Sequence, residues 1–200
     1  VELARYPNAA GTDEAGRGPL AGPVVAAAVV LPDSFDLQGI QDSKILKEKD
    51  RHELEIRIKA DCDWTVEIAW TDEVDRINIL RASLAAMSRA ISRLKSNPCV
   101  ILVDGHMLPP DLPCEGKAVV KGDSTYACIA AASILAKNER DRIMRNYAVE
   151  YPGYGFEKHF GYATPQHRNA LAKLGPCPIH RRSFAPVNEL LQPTLMSVDE

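Results

Sequence analysis

Residues 9–32 read AAGTDEAGRGPLAGPVVAAAVVLP, and this stretch decides the fold. Ala9 to Ala15 and Val24 to Leu31 are segments of strand length, the second rich in the β-branched and small residues that favour extended structure. The loop between them carries Gly16 and Gly18, which lack a Cβ and let backbone come close to a ligand. Asp13 and Glu14 stand at its entrance. Two carboxylates about 4 Å apart repel by roughly 4 kcal/mol at an effective dielectric near 20, a cost that a divalent cation removes. Acidic ligands beside a bare-backbone loop point to a phosphate-bearing substrate.

Outward from this hairpin the chain alternates strands and helices. Lys47 to Ala60 spaces Leu54 and Ile58 as a helix, and Trp64 to Trp70 alternates as a half-buried strand. Asp75 to Leu94 carries Ile77, Leu80, Leu84, Met87, Ile91 and Leu94 at helical spacing, which predicts one long helix ended by Asn97-Pro98. Cys99 to Val103 is a buried strand that stops at Asp104-Gly105, and Lys117 to Val120 is a further short strand stopped by Lys121 to Ser124. Tyr126 to Val149 reads as a long helix, buried at first and then charged, which Pro152, Gly153 and Gly155 break. Thr164-Pro165 starts a last short helix over Ala163 to Leu174. The order defines an α/β protein.

The 200 residues fit one domain over 1–192, including a helical C-terminal segment from about 163, with 193–200 as a frayed tail. No signal-like N-terminus and no apolar run long enough for a bilayer is present, so a cytoplasmic protein without membrane contact is expected. The five cysteines are odd in number and scattered, with no Cys-x-x-Cys pair, which fits reduced thiols. Cys177 and His180 form half a zinc motif without a second half. Net charge is −3, yet Lys137 to Arg182 holds nine Lys or Arg against four Asp or Glu. That local basic field suits either a phosphate track or a solvated face of ion pairs.

Asp13-Glu14 ends one apolar strand, Asp104 ends another, and Asp123 follows a third. In an α/β sheet such strand ends gather on one edge, where ligands bind. Four carboxyl groups meeting there would hold one or two Mg²⁺ or Mn²⁺ ions, and two ions can activate water and stabilise a leaving oxygen in phosphodiester cleavage. Taken singly, Asp123 also suits a helix N-cap and Asp104-Gly105 a turn. Asp13 and Glu14, as strand neighbours, point to opposite faces, so both serve one site only if the strand bends or ends there.

The run Thr12 to Pro32, with DSK at Asp42 to Lys44, NIL at Asn78 to Leu80, DG at Asp104-Gly105 and VKGDS at Val120 to Ser124, resembles bacterial ribonuclease HII. AASILAK at Ala131 to Lys137, RD at Arg140-Asp141, the YGF and GY motifs between Tyr154 and Tyr162, and HRRSF at His180 to Phe184 extend the match over about residues 10 to 190. Arg17 in the glycine loop favours type HII over type HIII, whose loop usually has Lys. The resemblance implies an RNase H-like fold, a mixed five-stranded sheet flanked by helices with a small helical C-terminal extension. It implies that Asp13, Glu14, Asp104 and Asp123 are the catalytic acids and hold the divalent metals. Gly16, Arg17 and Gly18 would read the ribose 2′-OH, the group that distinguishes RNA from DNA. Tyr162 would pack on the sugar of the next nucleotide.

The expected activity is therefore metal-dependent cleavage of RNA in RNA–DNA hybrids, and 5′ of ribonucleotides embedded in duplex DNA, leaving 3′-OH and 5′-phosphate ends. A monomer with Mg²⁺ or Mn²⁺, two ions when substrate is bound, is expected. Rival activities are a DNA nuclease on a similar sheet, a non-catalytic hybrid-binding module and a small-molecule phosphatase. Lys44, Ser43, Lys121, Ser124 and Ser133 suit phosphate contacts, with capping or surface roles as the alternative. Asp141 suits an outer-shell metal group or an ion pair with Arg145 one turn away. His180, Arg181 and Arg182 pack the C-terminal segment onto the domain or touch substrate. His106 is given no role, and Tyr6, Trp64 and Trp70 are read as packing residues.

Overall fold

β1 (Ala9–Ala15) and β2 (Val24–Val30) pair antiparallel across the glycine loop, with Asp13 opposite Ala27 and Ala15 opposite Val25. The computed structural model describes residues 3–192. β3 (Asp63–Ala69) lies antiparallel along the other side of β2, while β4 (Val100–Asp104) runs parallel to β1 and β5 (Glu115–Val119) parallel to β4. The mixed five-stranded sheet has the order β3-β2-β1-β4-β5. Helices α1 (Glu48–Asp61), α2 (Thr71–Ile77) and α3 (Ile79–Ser92) connect strands, and α4 (Ala127–Glu150), α5 (Phe156–His159), α6 (Pro165–Leu174) and α7 (Ala185–Leu191) follow β5. This is the RNase H-like α/β architecture expected.

The central strands are apolar on both faces because helices cover both. On one face Val25, Ala27 and Val29 meet Ile58 of α1 and Ala130, Ala131, Ile134 and Leu135 of α4. On the other, Val24, Ala26 and Ala28 meet Ala86, Met87 and Ile91 of α3. Small residues set the spacing on the α4 side. A Cβ at Gly11 would lie 2.2 Å from the carbonyl carbon of Cys128, so the helix sits directly on β1. That contact brings α4 against the strand that carries Asp13.

Several boundaries differ from expectation. The helix expected over Asp75 to Leu94 is two helices, α2 and α3, split at Asn78. Asn78 adopts a left-handed φ of 69°, and its side chain accepts a hydrogen bond from the Arg81 N–H at 3.0 Å. The apolar periodicity runs on across the split because both helices pack on the same side. Strands expected at Trp64 to Trp70 and Lys117 to Val120 begin earlier, at Asp63 and Glu115. Asp123 is not the N-cap of α4: it lies in a 3₁₀ turn, Gly122–Ser124, and Tyr126 precedes the helix without a side-chain cap. The expected tail at 193–200 lies outside the described residues. Among those described, no helix is long and apolar enough to cross a membrane.

The C-terminal segment returns to the glycine loop. Leu20 N–H donates to Gly161 O at 2.9 Å, Gly22 N–H to Ile179 O at 2.9 Å, and Arg181 N–H to Leu20 O at 2.8 Å. Residues 20–22 are thereby held between the segment that carries Tyr162 and the segment that carries Arg181.

Candidate active site

β1, β4 and β5 are parallel, so their C-terminal ends share one sheet edge. Thr12 pairs with Val103, which puts Asp13 and Asp104 next to one another just beyond. The 3₁₀ turn that follows β5 folds back on Asp104: Gly122 N–H donates to Asp104 Oδ1 at 2.7 Å, which brings Asp123 to the same edge. Lys44, from the turn closed by Asp42 Oδ1 on the Lys44 N–H, reaches Asp123 Oδ2 at 2.8 Å. Ser124 Oγ lies 3.4 Å from Asp123 Oδ1.

β1 stays regular through Ala15, so Asp13 and Glu14 point to opposite faces. Asp13 is buried on the α4 side, and its Oδ1 accepts a hydrogen bond from the Glu14 N–H at 2.7 Å. Glu14 borders a cavity of about 220 Å³ shared with Asp104, Arg17, His106 and Met107 and floored by Leu80, Leu84 and Met87. Arg17 Nη1 pairs with Glu14 Oε1 at 3.3 Å.

Burial, then repulsion from Glu14 and Asp104, raises the Asp13 pKa well above the ordinary carboxylate value. Burial also raises Glu14, with Arg17 opposing, and raises Asp104 together with the charge of Asp123. Burial weighs against the Lys44 ammonium, yet the Asp123 carboxylate bonded to it prevails and raises its pKa. These acids form an all-oxygen donor set in which Arg17 and Lys44 offset only Glu14 and Asp123, leaving Asp13 and Asp104 without an ion pair among the described residues, which fits a hard divalent cation. Their side chains do not close round one. Among the described residues, no group of three or more His, Cys, Asp or Glu is disposed to hold a metal ion, in keeping with the opposed directions of Asp13 and Glu14.

Gly16 adopts a φ of 97°, and a Cβ there would lie 2.0 Å from Arg140 Nε. Arg17 and Gly18 are exposed. The half-exposed Tyr162 ring stands over Gly18, 3.7 Å from where a Cβ would be, and the Arg140 guanidinium carbon lies 5.8 Å from the ring centre. His167 supports this segment: its ring Nδ1 meets Tyr162 O at 2.9 Å, and its Nε2 meets His180 Nε2 at 3.1 Å.

Other expected contacts fall elsewhere. Ser43 and Ser133 are buried and hydrogen-bond to one another at 2.8 Å, so they are not surface phosphate ligands. Lys121 is exposed and turns the chain, with a φ of 55°. Asp141 pairs with Lys137 and with Arg51 at 3.3 Å, not with Arg145, which reaches Glu48 at 2.7 Å because the α1 carboxylate faces it. His180 and Arg181 are buried, whereas Arg182 is exposed and held by its backbone, its N–H donating to Asp75 and its carbonyl accepting from Asn188. Tyr6 packs edge-on against Tyr126, and Trp64 Nε1 donates to Lys59 O, as packing residues do; Trp70 is nearly half exposed. Two arginines whose place at the glycine loop the sequence did not reveal, Arg140 and Arg181, lie beneath it. Arginine in a charged helix or a basic tripeptide resembles surface, and no local pattern reports a partner more than a hundred residues away.

Solved structures share the fold. The ribonuclease H2 of Pyrococcus horikoshii superposes with a TM-score of 0.77 at 26% identity, covering 91% of this chain and 96% of its own. The RNase HII of Archaeoglobus fulgidus, solved in a complex with PCNA, gives 0.76 at 30% identity and covers 94% and 98%. The sheet, with its acids at the ends of parallel strands, thus defines a nuclease of the RNase H-like class. The family model for Ribonuclease HII matches residues 10–187, and a Ribonuclease HII of Paracoccus denitrificans is 57% identical over 91% of this chain and 87% of its own length. The chain belongs to the ribonuclease HII family and is an endoribonuclease of ribonuclease H type 2.

Proposed function

We propose that this enzyme hydrolyses the RNA strand of RNA–DNA hybrids and cuts 5′ of single ribonucleotides in duplex DNA, leaving 3′-OH and 5′-phosphate ends. The observation that carries this reading is the shared sheet edge, where Asp13, Asp104 and Asp123 adjoin the Gly16–Gly18 loop and Tyr162. Asp13, Glu14, Asp104 and Asp123 would hold Mg²⁺ or Mn²⁺, two ions with substrate bound. Such ions neutralise charge on the scissile phosphate and activate water for in-line attack.

The chain's own residues then have distinct tasks. The exposed backbone at Arg17 and Gly18 meets the 2′-hydroxyl, with no Cβ at Gly18 to hold the sugar away. The Tyr162 ring packs on the neighbouring sugar and is kept over Gly18 by the His167 bond to its carbonyl. Lys44 offers a cation to a phosphate once Asp123 is engaged elsewhere, and Ser124 a hydroxyl. The enzyme acts as a monomer, and its five free thiols suit a reducing compartment such as the cytoplasm.

The test is substitution of the acids by amides of the same shape that lack the charge. Asp13→Asn and Asp104→Asn are each expected to lower kcat by at least about a thousandfold, roughly 4 kcal/mol, with circular dichroism unchanged. A variant that retains a rate near the wild type removes that acid from the site.

A further inference from the structure

The Arg181 guanidinium is wholly buried and spends its donors on backbone alone. Nη2 donates to Gly16 O at 2.5 Å and to Pro23 O at 3.3 Å, Nη1 to Arg17 O at 2.9 Å, and Nε to Gly22 O at 2.9 Å. Arg140 lies alongside, with Nε on Pro23 O at 3.0 Å and Nη2 on Ala21 O at 3.1 Å. No carboxylate bonds either guanidinium among the described residues. Two like charges packed together away from water are costly. Burial lowers the Arg181 pKa to about 9, the charge of Arg140 adding to it, so both groups stay cationic at neutral pH.

What this arrangement accomplishes follows from the planar trans peptide. Within one peptide unit, C=O and N–H point in opposite directions. The Gly16 carbonyl is drawn inward by Arg181, so the Arg17 N–H of the same unit faces out. The Arg17 carbonyl is likewise drawn inward, so the Gly18 N–H faces out. Neither N–H donates to any partner among the described residues, and both residues are exposed. The positive charge behind the two units also polarises them, which strengthens their N–H groups as donors.

We infer that Arg181 is a positioning residue for ribose recognition: from the C-terminal segment it turns the Gly16–Arg17 and Arg17–Gly18 peptide units so that two N–H groups are presented to the 2′-hydroxyl. The inference rests on the proposed ribonucleotide specificity and adds to it the residue that sets the donors' direction. Arg140 supports the neighbouring carbonyls and fills the space behind Gly16.

The test separates recognition from folding. KM and kcat are measured on a DNA duplex with one ribonucleotide, and the same duplex made wholly of DNA is titrated in as a competitor. Wild type, Arg181→Lys and Arg181→Met are compared with Ile58→Ala, which opens a cavity under α1 remote from the loop and serves as a stability control. Arg181→Met is expected to raise KM about tenfold or more while the competitor's Ki changes less than about twofold, so that preference for the ribonucleotide collapses. Arg181→Lys, which keeps the charge and some donors, is expected to fall between, and it serves if the methionine variant does not fold. Ile58→Ala is expected to keep the wild-type ratio of Ki to KM at a lowered Tm. If both Arg181 variants lower Tm or kcat with KM and the ratio unchanged, the role is structural only and the inference falls. If the wild type fails to cut the single-ribonucleotide duplex, the proposed specificity itself fails, whatever the variants do.

Discussion

At the scale of single residues, the two glycines of the recognition loop are not equivalent. A Cβ on Gly16 would lie 2.0 Å from Arg140 Nε and 2.8 Å from Pro23 O, at a φ of 97° that L-residues disfavour. A Cβ on Gly18 would meet only Tyr162, at 3.7 Å. Gly16→Ala is therefore expected to lower Tm and reduce kcat/KM by about a hundredfold or more, whereas Gly18→Ala should leave Tm within about a degree and act on KM. Thermal melts and steady-state kinetics on both variants check this; a Gly18→Ala melting as low as Gly16→Ala would contradict it. Asp13, Glu14 and Asp104 were legible in the sequence because they lie at the ends of apolar strands, and Asp123 because it follows a third strand within a few residues. The disposition of Asp13 and Glu14 was legible only as a choice, since whether β1 bends depends on its pairing with β2, which holds to Ala15. Arg140 and Arg181 were not legible as loop residues, because their partners lie 117 and 165 positions away in the chain.

At the scale of elements, the break at Asn78 and the histidines under Tyr162 carry the clearest expectations. Asn78 combines a left-handed φ with a side-chain cap on Arg81 N–H, so Asn78→Ala loses both and should cost about 1–2 kcal/mol in urea unfolding. An unchanged midpoint would show that α3 needs no cap. Periodicity alone joined the two helices into one, because an apolar face shared by consecutive helices hides the turn between them. Helix α6 was legible for the opposite reason: Thr164 caps it by accepting from His167 N–H at 3.2 Å, and a local Thr-Pro signal records that chemistry. Burial, then the neighbouring His167, lowers the His180 pKa from the usual 6.5 to about 4, and burial lowers His167. The unfolded chain takes up these protons near the usual value while the folded chain refuses them. Their stabilising contribution is thus complete above pH 6.5 and is lost as pH falls toward about 4. Imidazole NMR should find His180 still neutral near pH 5.5, where a free imidazole is largely charged. A charged ring there would contradict the burial of the pair.

At the scale of the whole molecule, the basic excess counted over Lys137 to Arg182 is smaller on the surface than in the sequence. Arg140 and Arg181 are buried, and Lys137, Arg142 and Arg145 pair with Asp141, Glu55 and Glu48. Lys158, Arg168, Lys173 and Arg182 remain exposed and without an ion pair among the described residues. If these four meet phosphates, the slope of log affinity against log salt for a duplex should be about −3 to −4, measured by anisotropy. A slope near zero would remove the phosphate track. The strands and helices were legible from their apolar patterns and the mixed five-stranded sheet through the family resemblance, whereas the strand order and which charges face solvent depended on tertiary pairing and were not. The most direct measurement of the central claim is a cleavage map on a DNA duplex with one ribonucleotide and on the same duplex without it, with Mg²⁺ or Mn²⁺, for wild type and Asp104→Asn. The expected result is a single cut 5′ of the ribonucleotide by the wild type, no cut in the all-DNA duplex, and none by the variant. Equal cutting of both duplexes, or undiminished cutting by Asp104→Asn, would contradict it.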